Sequence, residues 1–309
     1  MKKLFCILLL ANSFFTNAQE RNITITINDG KIEGTFNQPK KSKKLVIIIA
    51  GSGPTDRNGN NPLGVKCNSY QLIADTLNKA NIASIRYDKR GIAKSKLLVM
   101  DESKMTFEDF INDAVTIFNY AKDSLGYKKI YFAGHSEGSL IGMVAAQRVH
   151  AAGYISISGA GQSIDLIINE QVKSQPEKIR EEVKTIMEQL QQQKFVDSVP
   201  KYLYSLFRPS VQPYMISWLQ YNPTAEIKKL TIPVLIIQGK CDVQVKTEQA
   251  TQLHEANAKS KIKLIDLMTH TLKNTTDDCT DKNKKTYTDP SLPLNQDFAK
   301  TIVNFINKH

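Results

Sequence analysis

Cysteine is scarce in this 309-residue chain, four in all, and none stands at a spacing that would hold zinc. The one apolar run near the start, Leu4 to Ala11, is too short to span a bilayer. The formal charge is +11, yet the lysines are scattered and no dense Lys/Arg tract with interleaved aromatics occurs, so nucleic acid is not expected as a partner. The main glycine-rich loop, Gly51 to Asn60, is not spaced as G-x-G-x-x-G and no Gly-Lys-Ser/Thr follows it. A dinucleotide or phosphate loop therefore fits poorly, and no metal or organic cofactor is called for. Repeats are missing, and low complexity is confined to Gln191-Gln192-Gln193.

What is present begins with residues 1–18, which read as an export signal. Lys2 and Lys3 precede the apolar stretch, and Thr16-Asn17-Ala18 offers small residues for cleavage. Cys6 lies too early, inside the apolar stretch, for a lipidated first residue. The mature chain is expected to begin near Gln19, in the periplasm or outside the cell, with its charge reduced by the two lost lysines. Three cysteines remain. Cys67 and Cys279 both fall in loops predicted on the same side of the sheet, so they are the expected disulfide.

Asn22 to Ile27 alternates apolar and polar residues, Asn28-Asp29-Gly30 makes a turn, and Lys31 to Asn37 returns, which predicts an antiparallel hairpin. Unalternating apolar runs at 44–50, 82–87, 129–133, 154–158, 234–238 and 262–267 predict strands covered on both faces. Helical stretches at 70–80, 106–125, 139–149, 247–258 and 297–307 separate most of them, so the fold class is α/β with a mostly parallel sheet. From about 163 to 225 no strand appears, and 170–194 has helical spacing throughout, which predicts a helical cap inserted above the sheet. The second half of that insertion holds Tyr202, Tyr204, Phe207, Tyr214, Trp218 and Tyr221, as glue to the main domain or as the lining of an acyl or aryl pocket.

The chemistry is concentrated at Gly134-His135-Ser136-Glu137-Gly138, a Gly-x-Ser-x-Gly between a predicted strand and a predicted helix. Such a turn strains the serine backbone and exposes its hydroxyl. Serine alone is a weak nucleophile, so a base, an acid and oxyanion donors are needed. The backbone N–H groups of Ser52, after the strand ending at Ala50, and of Glu137 are placed for the oxyanion. Asp242, beyond the strand ending at Gln238, is the expected acid, with Asp165 and Asp266 as rivals. Of five histidines, His270 follows the last strand and is the expected base; His135 should point away from the serine, and His150, His254 and His309 lie elsewhere. The triad order is Ser136, Asp242, His270.

Together, Gly51-Ser52-Gly53-Pro54-Thr55-Asp56-Arg57, Arg86-Tyr87-Asp88-Lys89-Arg90-Gly91, the Ser136 elbow, the strand from Ile232 to Gly239 with Asp242, and His270 resemble the α/β-hydrolase fold superfamily, more narrowly exported bacterial serine hydrolases of the esterase and serine-aminopeptidase-like groups. The resemblance implies one hydrolase domain over 19–309 and acyl transfer from a small-molecule ester to Ser136 and on to water. Aminopeptidase or thioesterase chemistry on the same triad, or a binding module without turnover, are the alternatives. A peptidase for free amino termini would need carboxylates near the serine, for which Glu137, Glu170, Glu177, Glu181 and Glu182 are available, although they read more readily as a solvated helix face. Two departures stand out: Ala50-Gly51 where many relatives have His-Gly, and a long polar insertion from Asn274 to Asn295. Asp88 and Arg90 read as a structural salt-bridge corner.

Overall fold

The computed structural model describes residues 19–98, 101–276, 279 and 284–309; the expected export signal at 1–18 lies outside them. Eight strands form one sheet: β1 (Gln19–Ile27), β2 (Gly30–Gln38), β3 (Lys44–Ile49), β4 (Ala83–Tyr87), β5 (Lys129–His135), β6 (Gly153–Ile157), β7 (Val234–Gly239) and β8 (Lys261–Ile265). Their order is β1-β2-β4-β3-β5-β6-β7-β8. The hairpin β1–β2 is antiparallel and joins β4 antiparallel, and every pairing from β4 to β8 is parallel.

The helices are α1 (Ser69–Lys79), α2 (Phe107–Asp123), α3 (Glu137–Arg148), α4 (Ile164–Gln171), α5 (Glu177–Gln191), α6 (Tyr204–Phe207), α7 (Gln212–Trp218), α8 (Pro223–Lys228), α9 (Thr247–Ala256), α10 (Lys284–Thr288) and α11 (Gln296–Lys308). The unbroken apolar run of β3 is explained by its two covered faces. Leu45, Ile47 and Ile49 pack with Phe107 and Ile111 of α2 and Ile141 of α3, while Val46 and Ile48 pack with Ile73 and Leu77 of α1 and Ile302 of α11. A reciprocal cap between Thr106 and Asp109 fixes the start of α2, satisfying two N–H groups at once.

Helices α4 to α8 lie between β6 and β7, over the interval where no strand is expected. The helical spacing over 170–194 corresponds to the end of α4 and the whole of α5, separated by residues 172–176. Pro176 is the reason: it lacks an N–H, and it disfavours helical backbone at Gln175, so the chain restarts one residue later. These helices share their own apolar cluster, including Ile168, Val183, Met187, Leu190, Phe207 and Met215. Trp218 stacks on Phe107 of α2 with centroids 5.3 Å apart, and Tyr214 and Tyr221 pack around the same ring. Three of the six rings therefore attach the insertion to the sheet domain, Phe207 packs within the insertion's own cluster, and Tyr202 and Tyr204 are exposed.

Candidate active site

Ser136 sits between the end of β5 and the first residue of α3 with φ 54° and ψ −120°, a backbone conformation that costs a non-glycine residue roughly 1–3 kcal/mol. The flanking glycines are dictated by space. A Cβ on Gly134 would fall 2.0 Å from the Gly138 carbonyl oxygen, and one on Gly138 would fall 2.5 Å from that of Ile49. The Ser136 N–H donates to Ile157 O of β6 at 2.9 Å, so the neighbouring strand holds the strained residue. Its hydroxyl borders two cavities and has no hydrogen-bond partner among the described residues.

Asp242 and His270 meet across two loops. His270 Nδ1 donates to Asp242 Oδ2 at 2.8 Å, which leaves Nε2 as the basic nitrogen, and His270 borders one of the cavities that Ser136 borders. Asp242 Oδ1 accepts the N–H groups of Gln244 and Val245, both at 2.9 Å, and Oδ2 accepts Gln238 Nε2 at 3.0 Å. Burial acts to raise the Asp242 pKa, but the His270 charge and these hydrogen bonds outweigh it, so the carboxyl is held below the usual carboxylate range. The rivals are elsewhere: Asp165 accepts from Gln191, and Asp266 lies exposed in an ion pair with Lys240. His150 is exposed, His254 of α9 bonds Ser260 beyond that helix, and His309 rests against Phe305.

Ser52 lies beyond β3, and Glu137 is the first residue of α3, where a helix N–H has no partner within the helix. Neither N–H is hydrogen-bonded among the described residues, and both residues border the same cavity as Ser136. Two side chains around these donors were not foreseen from the sequence. Lys89, in the turn after β4, donates to Gly51 O at 2.7 Å and to the Glu137 carboxylate at 2.6 Å, all three being buried. His135 does point away from the serine, but it is not idle. Its Nδ1 is 2.8 Å from the Tyr70 hydroxyl, which accepts the Gly51 N–H, and its Nε2 is 2.9 Å from His270 O.

Several expectations are corrected here. The disulfide joins Cys241 and Cys279, not Cys67 and Cys279; Cys67 is buried as a free thiol, its Sγ 2.9 Å from Gly59 O. Loop position along the sequence does not show that Cys279 lies beside Cys241, in the loop that carries Asp242. Asp88 and Arg90 do anchor a corner, but not to each other: Asp88 pairs with Arg57, and Arg90 with Asp113 and Asp29. Among the carboxylates considered for amine recognition, Glu137 is consumed by Lys89, Glu170 pairs with Lys173 and Lys246, Glu182 accepts from Tyr202, and Glu177 and Glu181 are exposed.

A family model described as serine aminopeptidase, S33, matches residues 63–208, which include the elbow. The esterase EstD of Thermotoga maritima is 26% identical over 256 residues, 80% of this chain; the chain spans 58% of that esterase's length. The ferulic acid complex of Est1E from Butyrivibrio proteoclasticus superposes with a TM-score of 0.62 at 19% identity, covering 93% of this chain and 98% of the other. The Pyrococcus furiosus esterase Pf2001 gives 0.61 at 17%, covering 94% and 91%. The chain has the α/β-hydrolase fold.

Ser136 stands at the junction of two cavities. One, of about 180 Å³, runs under the α4–α8 insertion and is lined by Leu140, Ile164, Ile168, Leu206, Met215 and Trp218. The other, of about 280 Å³, holds His270 and is lined on its outer side by Pro54, Asn61, Leu63, Val65 and Tyr287. Tyr287 belongs to the polar insertion; its hydroxyl accepts from Gln244 and its carbonyl accepts the Lys66 N–H, so Tyr287 is held against the site. Among the described residues no His/Cys/Asp/Glu cluster is arranged to hold a metal, and no helix is long and apolar enough to cross a membrane.

Proposed function

We infer that this chain is a serine hydrolase of carboxylic esters, working through an acyl-enzyme on Ser136. The observation that carries the reading is the strained, unpaired Ser136 hydroxyl sharing a cavity with His270, whose tautomer is fixed by Asp242. Ser136 Oγ attacks the ester carbonyl as His270 Nε2 takes its proton, and the oxyanion is received by the N–H groups of Ser52 and Glu137. On collapse the C–O bond breaks, and Nε2–H gives its proton to the departing alkoxide. Water then repeats the sequence, with His270 as base, and frees the acid.

Because Nε2 must protonate the leaving group, the alcohol belongs in the cavity that contains His270, and the acyl group in the apolar cavity that does not. This favours a compact apolar acyl chain and a larger, more polar alcohol. An ester is favoured over a peptide amino terminus because Glu137, the one carboxylate lining either cavity among the described residues, is already paired with Lys89. Export is part of the proposal: it is supported by the composition of residues 1–18 and by the Cys241–Cys279 disulfide, which suits an oxidising compartment. The test is a panel of p-nitrophenyl esters of increasing acyl length set beside aminoacyl p-nitroanilides. Turnover of short esters with no amide cleavage is expected, and cleavage of the amides in preference to every ester would overturn the ester assignment.

A further inference from the structure

The geometry points to Lys89 as the positioning residue of the oxyanion hole, a single buried ammonium group that holds both donor-bearing segments; the inference rests on the oxyanion role given above to Ser52 and Glu137.

The first hold works through one peptide plane. The Gly51 carbonyl and the Ser52 N–H are the two ends of the same planar trans amide and point in opposite directions. Lys89 Nζ donates to Gly51 O at 2.7 Å, so the ammonium fixes the rotation of that plane and with it the direction of the Ser52 N–H. The preceding peptide is pinned as well, because the Gly51 N–H donates to the Tyr70 hydroxyl at 2.9 Å. With both ends tied, the plane cannot flip and present a carbonyl to the developing oxyanion. A cation on the carbonyl also polarises the amide, which strengthens its N–H as a donor.

The second hold acts on α3. Glu137 carries the other donor N–H, and its carboxylate receives Lys89 Nζ at 2.6 Å. The side chains of Lys89 and Glu137 are each only 4% exposed, and the Phe110 ring lies 5.4 Å from the ammonium, so the pair is shielded from water and from salt. The turn that carries Lys89 is itself fastened on either side, by Asp88 to Arg57 and by Arg90 to Asp113. A lysine whose only task was to neutralise Glu137 would need one contact; this one makes two, and the second is to the peptide that supplies Ser52.

The test separates those two tasks. Lys89→Met removes the ammonium and leaves the Glu137 carboxylate without its cation, whereas the double variant Lys89→Met with Glu137→Gln removes both charges and keeps the question open if the single variant does not fold. For each, kcat and KM are measured with a short p-nitrophenyl ester, and Ki with a trifluoromethyl ketone, whose adduct with the serine places an oxyanion in the same hole. The expected result in both variants is a kcat lower by about 10- to 100-fold, KM within about threefold of wild type, and a Ki raised by the factor lost in kcat/KM. A double variant restored to wild-type kcat, or a kcat loss with Ki unchanged, would overturn the role. A wild type that turns over no ester and binds no ketone would overturn the hydrolase reading and this one with it; a wild type that does both while the variants match it overturns this one alone.

Discussion

The Nε2 of His135 donates to the carbonyl oxygen of His270 at 2.9 Å, with the two rings 4.5 Å apart. A carbonyl only accepts, so the proton is on Nε2, and Nδ1 must accept from Tyr70, whose oxygen in turn accepts the Gly51 N–H. The elbow strand, the oxyanion loop and the histidine loop are therefore joined by one directed chain of hydrogen bonds through a neutral imidazole.

That neutrality has a pH signature. Burial first, and the nearby His270 charge second, lower the His135 pKa from its ordinary 6.5 to about 3. Between those values the unfolded chain binds a proton that the folded chain does not, so stability falls as the pH falls through this window. At pH 4.5 the loss relative to pH 7.5 is about 2–3 kcal/mol from this group. Denaturant melts of wild type and His135→Gln at both pH values should show the wild type losing about 2 kcal/mol more than the variant; equal losses would contradict the neutral tautomer.

Asp242→Asn replaces the acceptor of His270 Nδ1–H with a group that can turn its amide toward the ring and favour the wrong tautomer. Turnover should fall on the order of 10³- to 10⁴-fold with KM little changed and the melting midpoint nearly preserved. A loss of tenfold or less would assign the role to another carboxylate.

The cysteine pairing makes a separate prediction. The Cys241–Cys279 bridge closes a loop of 38 residues and ties the polar insertion to the residue beside Asp242. Breaking it with reductant or Cys279→Ser should cost about 3–4 kcal/mol by loop entropy, read from denaturant melts. Alkylation mapping without reductant should recover Cys67 as the thiol, and only after unfolding.

Acyl length should be read by the smaller cavity. Each added methylene that still fits gains about 0.8 kcal/mol, so kcat/KM should climb roughly fourfold per carbon. It should then drop once the chain outgrows the roughly 180 Å³ beneath Ile168, Met215 and Trp218. Met215→Ala should move the optimum to longer chains, and an unchanged optimum would place the acyl group elsewhere.

The sheet and the three residues proposed for the triad were legible because each depends on local pattern: apolar runs of strand length, glycines where a Cβ cannot fit, and chemistry at strand ends. Lys89, His135 and Tyr287 were not, since their value comes from what lies opposite them in space. Nothing near Lys89 in sequence announces a partner 48 positions on. The Cys241–Cys279 bridge was missed for the same reason, and the break before α5 was visible only as Pro176, which the helical spacing on either side of it overrode.

The most direct test of the account is the mass of the protein trapped during turnover. Mixed with excess p-nitrophenyl butyrate and quenched in acid within the first turnovers, the wild type should gain one acyl mass, mapped to the peptide that carries Ser136, and Ser136→Ala should gain none. A Ser136→Ala variant that still hydrolyses the ester at the wild-type rate, or an acyl group found on any other residue, would contradict it.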